Sequence, residues 1–87
     1  MTPTSAEIAT TAREIVASHL GVPVDQISEE SEIAALGADS LDLLAMVADA
    51  QDRFGIDIED DAVDAINSPK TLAAAVEMAL SAAAIQE

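Results

Sequence analysis

Nearly half of the apolar side chains in this chain are single methyl groups. Of 44 hydrophobic residues among 87, 19 are alanine, and only 25 are Val, Ile, Leu, Met or Phe, with Phe54 the one aromatic. A core built from so few large groups is thin. Alanine is the best helix former and a poor strand former, so a small helical bundle is the expected architecture. The alanines can either leave room between helices or draw the helices together, and the sequence leaves both open. A chain of this length supports one core and not two, so a single domain over residues 1–87 is expected. The apolar share of 51% separates it from disordered chains.

Charge excludes whole classes of function. Three Lys and Arg against 17 Asp and Glu give a net charge of −14. Such a surface cannot neutralise phosphates, so nucleic-acid binding is excluded and an anionic membrane surface is disfavoured. A basic protein is the natural partner, steered from long range. The chain has no cysteine, which removes disulfides, thiol chemistry and zinc ribbons. The first twelve residues hold no Lys, no Arg and no apolar run, unlike a secretory signal. The most apolar stretch, Leu72 to Ile85, is 14 residues interrupted by Glu77, too short for stable membrane insertion. A cytoplasmic, monomeric protein is the expectation.

Helix signals divide the chain. Thr4 and Glu7 have capping-box spacing after Pro3. Ile8, Ala12, Ile15, Val16 and His19 form one stripe, and Gly21 after Leu20 reads as the helix stop. Val22 to Leu36 reads as a long ordered loop pinned by Val22, Ile27, Ile33 and Leu36. Loops of that length in small domains are often functional. Asp39 is a good N-cap for a second helix, with Asp42 in its first turn. Leu43, Met46, Val47, Ala50 and Phe54 form its inward stripe, Asp42, Asp49 and Asp52 lie largely outside it, and Gly55 ends it. Ile56 and Ile58 alternate with acids, but no second strand exists to pair with them. A short third helix near residues 60–66 can bury Val63 and Ile66. Ser68-Pro69 reads as N-cap and first residue of the last helix, with Thr71 as a rival cap. Leu72, Val76, Ala79, Leu80 and Ala83 line its inner face. The expected fold is all-α: a small four-helix bundle of three longer helices and a short third, with a long loop between helices 1 and 2.

A catalytic site is hard to assemble from these residues. His19, the only histidine, sits in the last turn of the first helix, where its charged form suits the helix dipole. Ser40 lies in Gly37-Ala38-Asp39-Ser40-Leu41-Asp42, not in a nucleophile elbow, and no general base is within local reach. A calcium loop starting at Asp57 needs Gly at 62 and Glu at 68, where the chain has Ala62 and Ser68. One starting at Asp49 places Arg53 among the ligands. No catalytic residue, metal ligand set or phosphate loop is expected.

One segment stands apart: Leu36-Gly37-Ala38-Asp39-Ser40-Leu41-Asp42. It puts a serine hydroxyl on an exposed turn at a helix start, after a glycine that lets another molecule approach. First-turn N–H groups favour an anionic group there, so a phosphate ester on Ser40 suits the dipole. Asp39 and Asp42 oppose it and call for another reason, such as recognition by a basic enzyme. Equally, Ser40 can be an ordinary first-turn serine.

The same segment resembles the phosphopantetheine attachment motif of acyl carrier proteins, with Ser40 on the modified serine. The similarity extends to Leu20-Gly21-Val22, Ile27, Phe54-Gly55-Ile56, the acidic third helix and the apolar fourth. The resemblance implies that a phosphopantetheinyl transferase, using coenzyme A and Mg²⁺, places 4′-phosphopantetheine on Ser40. The arm's thiol then carries acyl groups as thioesters between enzymes, and the chain is a carrier and not a catalyst. It also implies that acyl-loading and acyl-processing enzymes dock basic patches around Asp39, Leu41 and Asp42 and along Ala48, Asp49 and Asp52.

The chain departs from carriers of primary fatty acid synthesis. Ala34 and Ala35 stand before Leu36-Gly37 in place of acids, and Ala45 and Gln51 replace acids of the motif helix. Glu32 follows Ser31, leaving Ile33 the core role, and two or three extra residues around Asn67-Ser68-Pro69-Lys70 precede the last helix. These departures suggest a stand-alone carrier of polyketide, modified-lipid or mixed peptide synthesis, with primary fatty acid synthesis still open. Two alternatives remain: an aminoacyl or peptidyl carrier, and a pantetheine-free acidic interaction module.

Overall fold

The computed structural model describes residues 3–85, so the two residues at each end of the expected 1–87 domain lie outside the described residues. Among the described residues every regular element is helical: α1 (Ser5–Leu20), α2 (Ser40–Phe54), α3 (Asp60–Asp64) and α4 (Pro69–Ile85). Two short 3₁₀ turns, Val24–Gln26 and Ala34–Leu36, punctuate the long loop between α1 and α2. No described helix is long and apolar enough to cross a membrane.

Each long helix starts on a reciprocal cap. Thr4 Oγ1 accepts from Glu7 N at 3.1 Å while Thr4 N donates to Glu7 Oε1 at 2.8 Å. At α4 the two rival caps act together. Thr71 N donates to Ser68 Oγ at 3.2 Å, and Ser68 N donates to Thr71 Oγ1 at 2.9 Å. These bonds satisfy N–H groups that a helix start otherwise leaves without partners.

The core is a seam where α1 packs against both α4 and α2, and α2 packs against α4. Ile15, Val16, Met46, Leu72 and Val76 are its wholly buried aliphatic side chains. Ala12, Ala17, Ala50, Ala73 and Ala75 are buried between them. Small residues at contact positions let helix axes approach closely, so these alanines serve packing and need not mark empty space.

The long loop is tied down at two levels. Ile27 and Ile33 insert into the core. Two backbone bonds then join the loop to the start of α4: Ile33 N donates to Asn67 O and Lys70 N to Glu29 O, each at 2.9 Å. The segment Asn67 to Lys70 therefore anchors the loop.

Several inward positions differ from the periodic pattern. Leu36 is exposed because Ile33 and Ala38 fill the inward places beside the second 3₁₀ turn, and Val22, just past α1, is half-buried against the core. The short helix stops at Asp64, yet Ile66 is still buried by the turn that follows. On α4, Ala79 and Leu80 are half-buried and Ala83 is exposed. The cause is length: Ser5, the first residue of α1, donates its hydroxyl to Glu77 at 2.9 Å. Beyond that point α4 runs past the end of α1. His19 leaves the inward stripe and turns to α2 instead. Phe54, the last residue of α2, packs on the end of the core and is half-buried.

The stability ranking follows burial. Met46→Ala or Leu72→Ala should each cost about 2–5 kcal/mol, as for other buried aliphatics, and Phe54→Ala should cost less than either. Urea denaturation followed by circular dichroism measures the order. A Phe54→Ala loss exceeding both would place the anchor of the core at the end of α2.

Candidate functional site

The start of α2 is built from its sequence outward. Gly37 closes the 3₁₀ turn with its N–H on Ala34 O at 3.1 Å and a φ of 99°, a left-handed conformation that side-chain-bearing residues rarely adopt. Two residues on, Asp39 is extended and caps α2. Its Oδ1 accepts from Asp42 N at 3.0 Å, and Asp42 Oδ2 accepts from Asp39 N at 3.1 Å. The two acids beside Ser40 thus have a local task, holding the helix start, whatever else they meet.

Ser40 is the first residue of α2 and is exposed. No hydrogen bond from another described residue engages its hydroxyl. His19 pairs with α2 nine residues further along, about 13 Å by helix rise. Ser40 is therefore exposed and beyond the reach of His19, and its neighbouring carboxylates are engaged in the helix cap.

Beside Ser40 lies a cleft of about 360 Å³. Ile33, Ala38, Leu43 and Ile66 contribute apolar walls, and Ser40 and Asn67 are among the polar groups lining it. The backbone bond from Ile33 N to Asn67 O joins the loop wall to the wall before α4. An exposed hydroxyl at a helix N-terminus, opening on a groove of mixed polarity, fits a flexible chain attached through a phosphodiester.

The outer face of α2 carries an apolar stripe leading away from Ser40. Leu41 is 75% exposed and Leu44 54% exposed, with exposed Ala45 and Ala48 continuing at helical spacing. The sequence reading placed Leu41 and Ala48 there and missed Leu44. Its signal is its spacing, three residues after Leu41 and four before Ala48, which puts it on the outer stripe of the helix. Asp52 is exposed. Asp49 is engaged: Arg53 Nε donates to its Oδ1 at 2.8 Å, and His19 Nε2 lies 3.2 Å from its Oδ2. The Arg53 hydrogen bond holds the Asp49 carboxyl below the usual carboxylate range, against the opposing effect of burial, with His19 adding to it. Asp49 raises the Arg53 guanidinium in turn. Gln51 is occupied as well: its Oε1 accepts from Ile58 N at 2.8 Å, fastening the segment after α2.

Known proteins resemble this chain along most of its length. Residues 10–76 match the family described as "Phosphopantetheine attachment site". An acyl carrier protein of Sinorhizobium fredii (strain NBRC 101917 / NGR234) and the acyl carrier protein AcpP of Rhizobium meliloti (strain 1021) are each 46% identical over 61 residues, covering 69% of this chain and 78% of theirs. Two solved structures share the fold. A free-standing peptidyl carrier protein from an uncharacterised secondary metabolic pathway of Acinetobacter baumannii matches with a TM-score of 0.75 at 21% identity, over 87% of this chain and 95% of its own. The oxytetracycline acyl carrier protein matches with a TM-score of 0.67 at 25% identity, over 95% and 87%.

The Asp49–Arg53 pair has a signed pH dependence. A carboxyl whose pKa is lowered by folding stabilises the fold above its unfolded value, near 3.9, and loses that contribution as pH falls through the lower folded value. Arg53→Gln should therefore cost about 0.3–0.5 kcal/mol above pH ~5, the scale of an exposed i,i+4 pair. The two proteins should converge as the pH falls below ~4. Urea midpoints measured across that range test this, and an equal gap at both ends would exclude the ion pair as its cause.

Proposed function

We propose that this chain, which belongs to the acyl carrier protein family marked by a phosphopantetheine attachment site, carries its 4′-phosphopantetheine on Ser40. When attached, the arm supplies the thiol that holds acyl groups as thioesters, a group this cysteine-free chain lacks. The observation that carries the assignment is the unengaged Ser40 hydroxyl, exposed at the N-terminus of α2 within the Leu36–Asp42 segment. The α2 dipole favours the phosphodiester. Because His19 is held at Asp49 and the Asp39 and Asp42 carboxylates cap the helix, the Ser40 proton leaves to the phosphopantetheinyl transferase as the serine oxygen takes the arm's phosphate from coenzyme A and the remainder of coenzyme A departs. The protein is that enzyme's substrate and acts as one monomeric carrier unit over residues 1–87.

The acyl assignment of the cargo rests on the names of the two relatives at 46% identity. Polyketide, modified-lipid or mixed peptide synthesis is the favoured setting, supported by Ala34, Ala35, Ala45 and Gln51 where primary fatty acid carriers have acids. Partner enzymes dock on the start and outer face of α2. Leu41, Leu44 and Ala48 supply apolar contact, and Asp39, Asp42 and Asp52 supply charge for a basic patch. Asp49 contributes less, since Arg53 and His19 already meet its carboxylate.

Incubation with coenzyme A, Mg²⁺ and a broad-specificity transferase should add one phosphopantetheinyl mass. Ser40→Ala should abolish the addition without changing helicity. Addition to another serine, or none, overturns the assignment. Intact mass of the protein from its own host reads the cargo, with an aminoacyl mass favouring the peptidyl alternative. For docking, Asp52→Lys should slow modification several-fold and Glu30→Lys, on the long loop, should not. Equal slowing by both points to net charge alone.

A further inference from the structure

We propose that the groove between the segment after α2 and the second half of α4 is a docking surface for a cationic amphipathic helix of a partner protein. It lies away from Ser40, and binding there does not depend on the Ser40 assignment.

The groove encloses about 340 Å³ alongside the part of α4 that runs past the end of α1. Ile58, Ala62, Ala75 and Ala79 give it apolar walls, and Met78 lines it while remaining 70% exposed. One wall is fixed in advance: Ile58 N donates to Gln51 Oε1 at 2.8 Å, and Ile56 and Ile58 are buried. A preformed apolar slot beside a flexible, polarisable methionine is the kind of surface that takes up an amphipathic helix.

Charge selects the occupant. Asp57 and Glu59 line the groove, both are exposed, and none of its described lining residues is a cation. Among the described residues no ion pair engages either carboxylate. A second copy of this chain would bring another −14 to the same rim, and an anionic membrane surface would be repelled as well. A cationic partner is attracted instead.

Spacing narrows the choice to a helix. Ile56, Asp57, Ile58 and Glu59 alternate between buried and exposed, as an extended segment does. Asp57 and Glu59 therefore face the same way, about 6–7 Å apart along the chain. Lys or Arg residues four apart on a helix share one face and are separated by about 6 Å of rise. Such a helix can meet both carboxylates while a large apolar residue beside that face enters the slot next to Met78. From Ser40 to Phe54, α2 spans about 21 Å by helix rise, and the groove's first lining residue, Asp57, follows Phe54. A partner seated there leaves Ser40 and the start of α2 open. On the carrier reading, it can retain the protein while successive enzymes act on the arm.

The test titrates the whole isotope-labelled chain, at physiological ionic strength, with a synthetic helix of leucine and lysine whose leucines share one face. A scrambled peptide of the same composition is the control. Amide shifts should concentrate in residues 57–62 and 75–82 and saturate, and the scrambled peptide should bind several-fold more weakly. Met78→Ser should weaken binding about tenfold, the scale of one apolar side chain taken from water, keep the fold's amide spectrum, and accept the arm at the wild-type rate. Asp57→Asn with Glu59→Gln should weaken binding several-fold. Glu29→Gln with Glu30→Gln removes the same charge from the long loop and should change binding less than about twofold. Shifts confined to the Leu41–Ala48 face, or equal weakening by the two charge pairs, overturn the proposal. So does a dimer of the chain alone, seen by sedimentation and dissolved by Met78→Ser, which would give the groove to a second copy. Failure of Ser40 to accept the arm overturns the carrier reading and leaves the groove's shift pattern to be judged on its own.

Discussion

Ile15, Val16, Met46, Leu72 and Val76 hold three long helices together against the mutual repulsion of a chain carrying −14. With so few large side chains, each has to serve more than one interface, and the five buried alanines bring the helices near enough for that to happen. Every other feature depends on that seam. The long loop keeps a shape because Ile27 and Ile33 reach into it, and α2 keeps its direction because Met46, Val47 and Ala50 lie along it. Small domains have little stability to spare, so caps and backbone ties at the helix starts matter more here than in a larger fold.

The site sits where these ties converge. Gly37 reverses the chain, Asp39 and Asp42 cap each other's backbone, and the Ile33–Asn67 bond fixes the loop against the α4 junction. None of these interactions involves the Ser40 hydroxyl, and together they leave it outside. A helix start is a place where rigidity and exposure coexist, since its first N–H groups face away from the helix body. That combination suits a residue acted upon by other enzymes, as expected for a carrier.

Much of this was legible because it is local. Caps at Thr4, Asp39 and Ser68, stops at Gly21 and Gly55, and the stripes of α1 and α2 follow from spacing within one or two turns. What escaped depends on where one element ends relative to another. Ala83 has the right phase on α4 but lies beyond the reach of α1, and Phe54 has the right phase on α2 but sits at its last turn. Leu36 gave way to Ala38, a smaller residue with a better position. At the site, the serine and its flanking acids could be read in advance. The engagement of Asp49 by α1 and the cleft formed with Asn67 could not, because each joins residues distant in sequence, and the use of Gln51 to fasten Ile58 could not, because it depends on how the chain turns after α2.

The clasp of Asp49 by Arg53 and His19 has a consequence for the electric field around α2. Two carboxylates stand at the Ser40 end with no cation paired to them among the described residues, whereas the far end carries the guanidinium of Arg53 and the imidazole of His19 among its acids. By side-chain charge the helix is therefore a graded rod, more negative at the serine end, with the positive end of its dipole offsetting part of the difference. A cationic body approaching from a distance feels a turning force as well as an attraction, because the pull is uneven along the rod. Alignment can begin before contact, with the serine end of the helix leading.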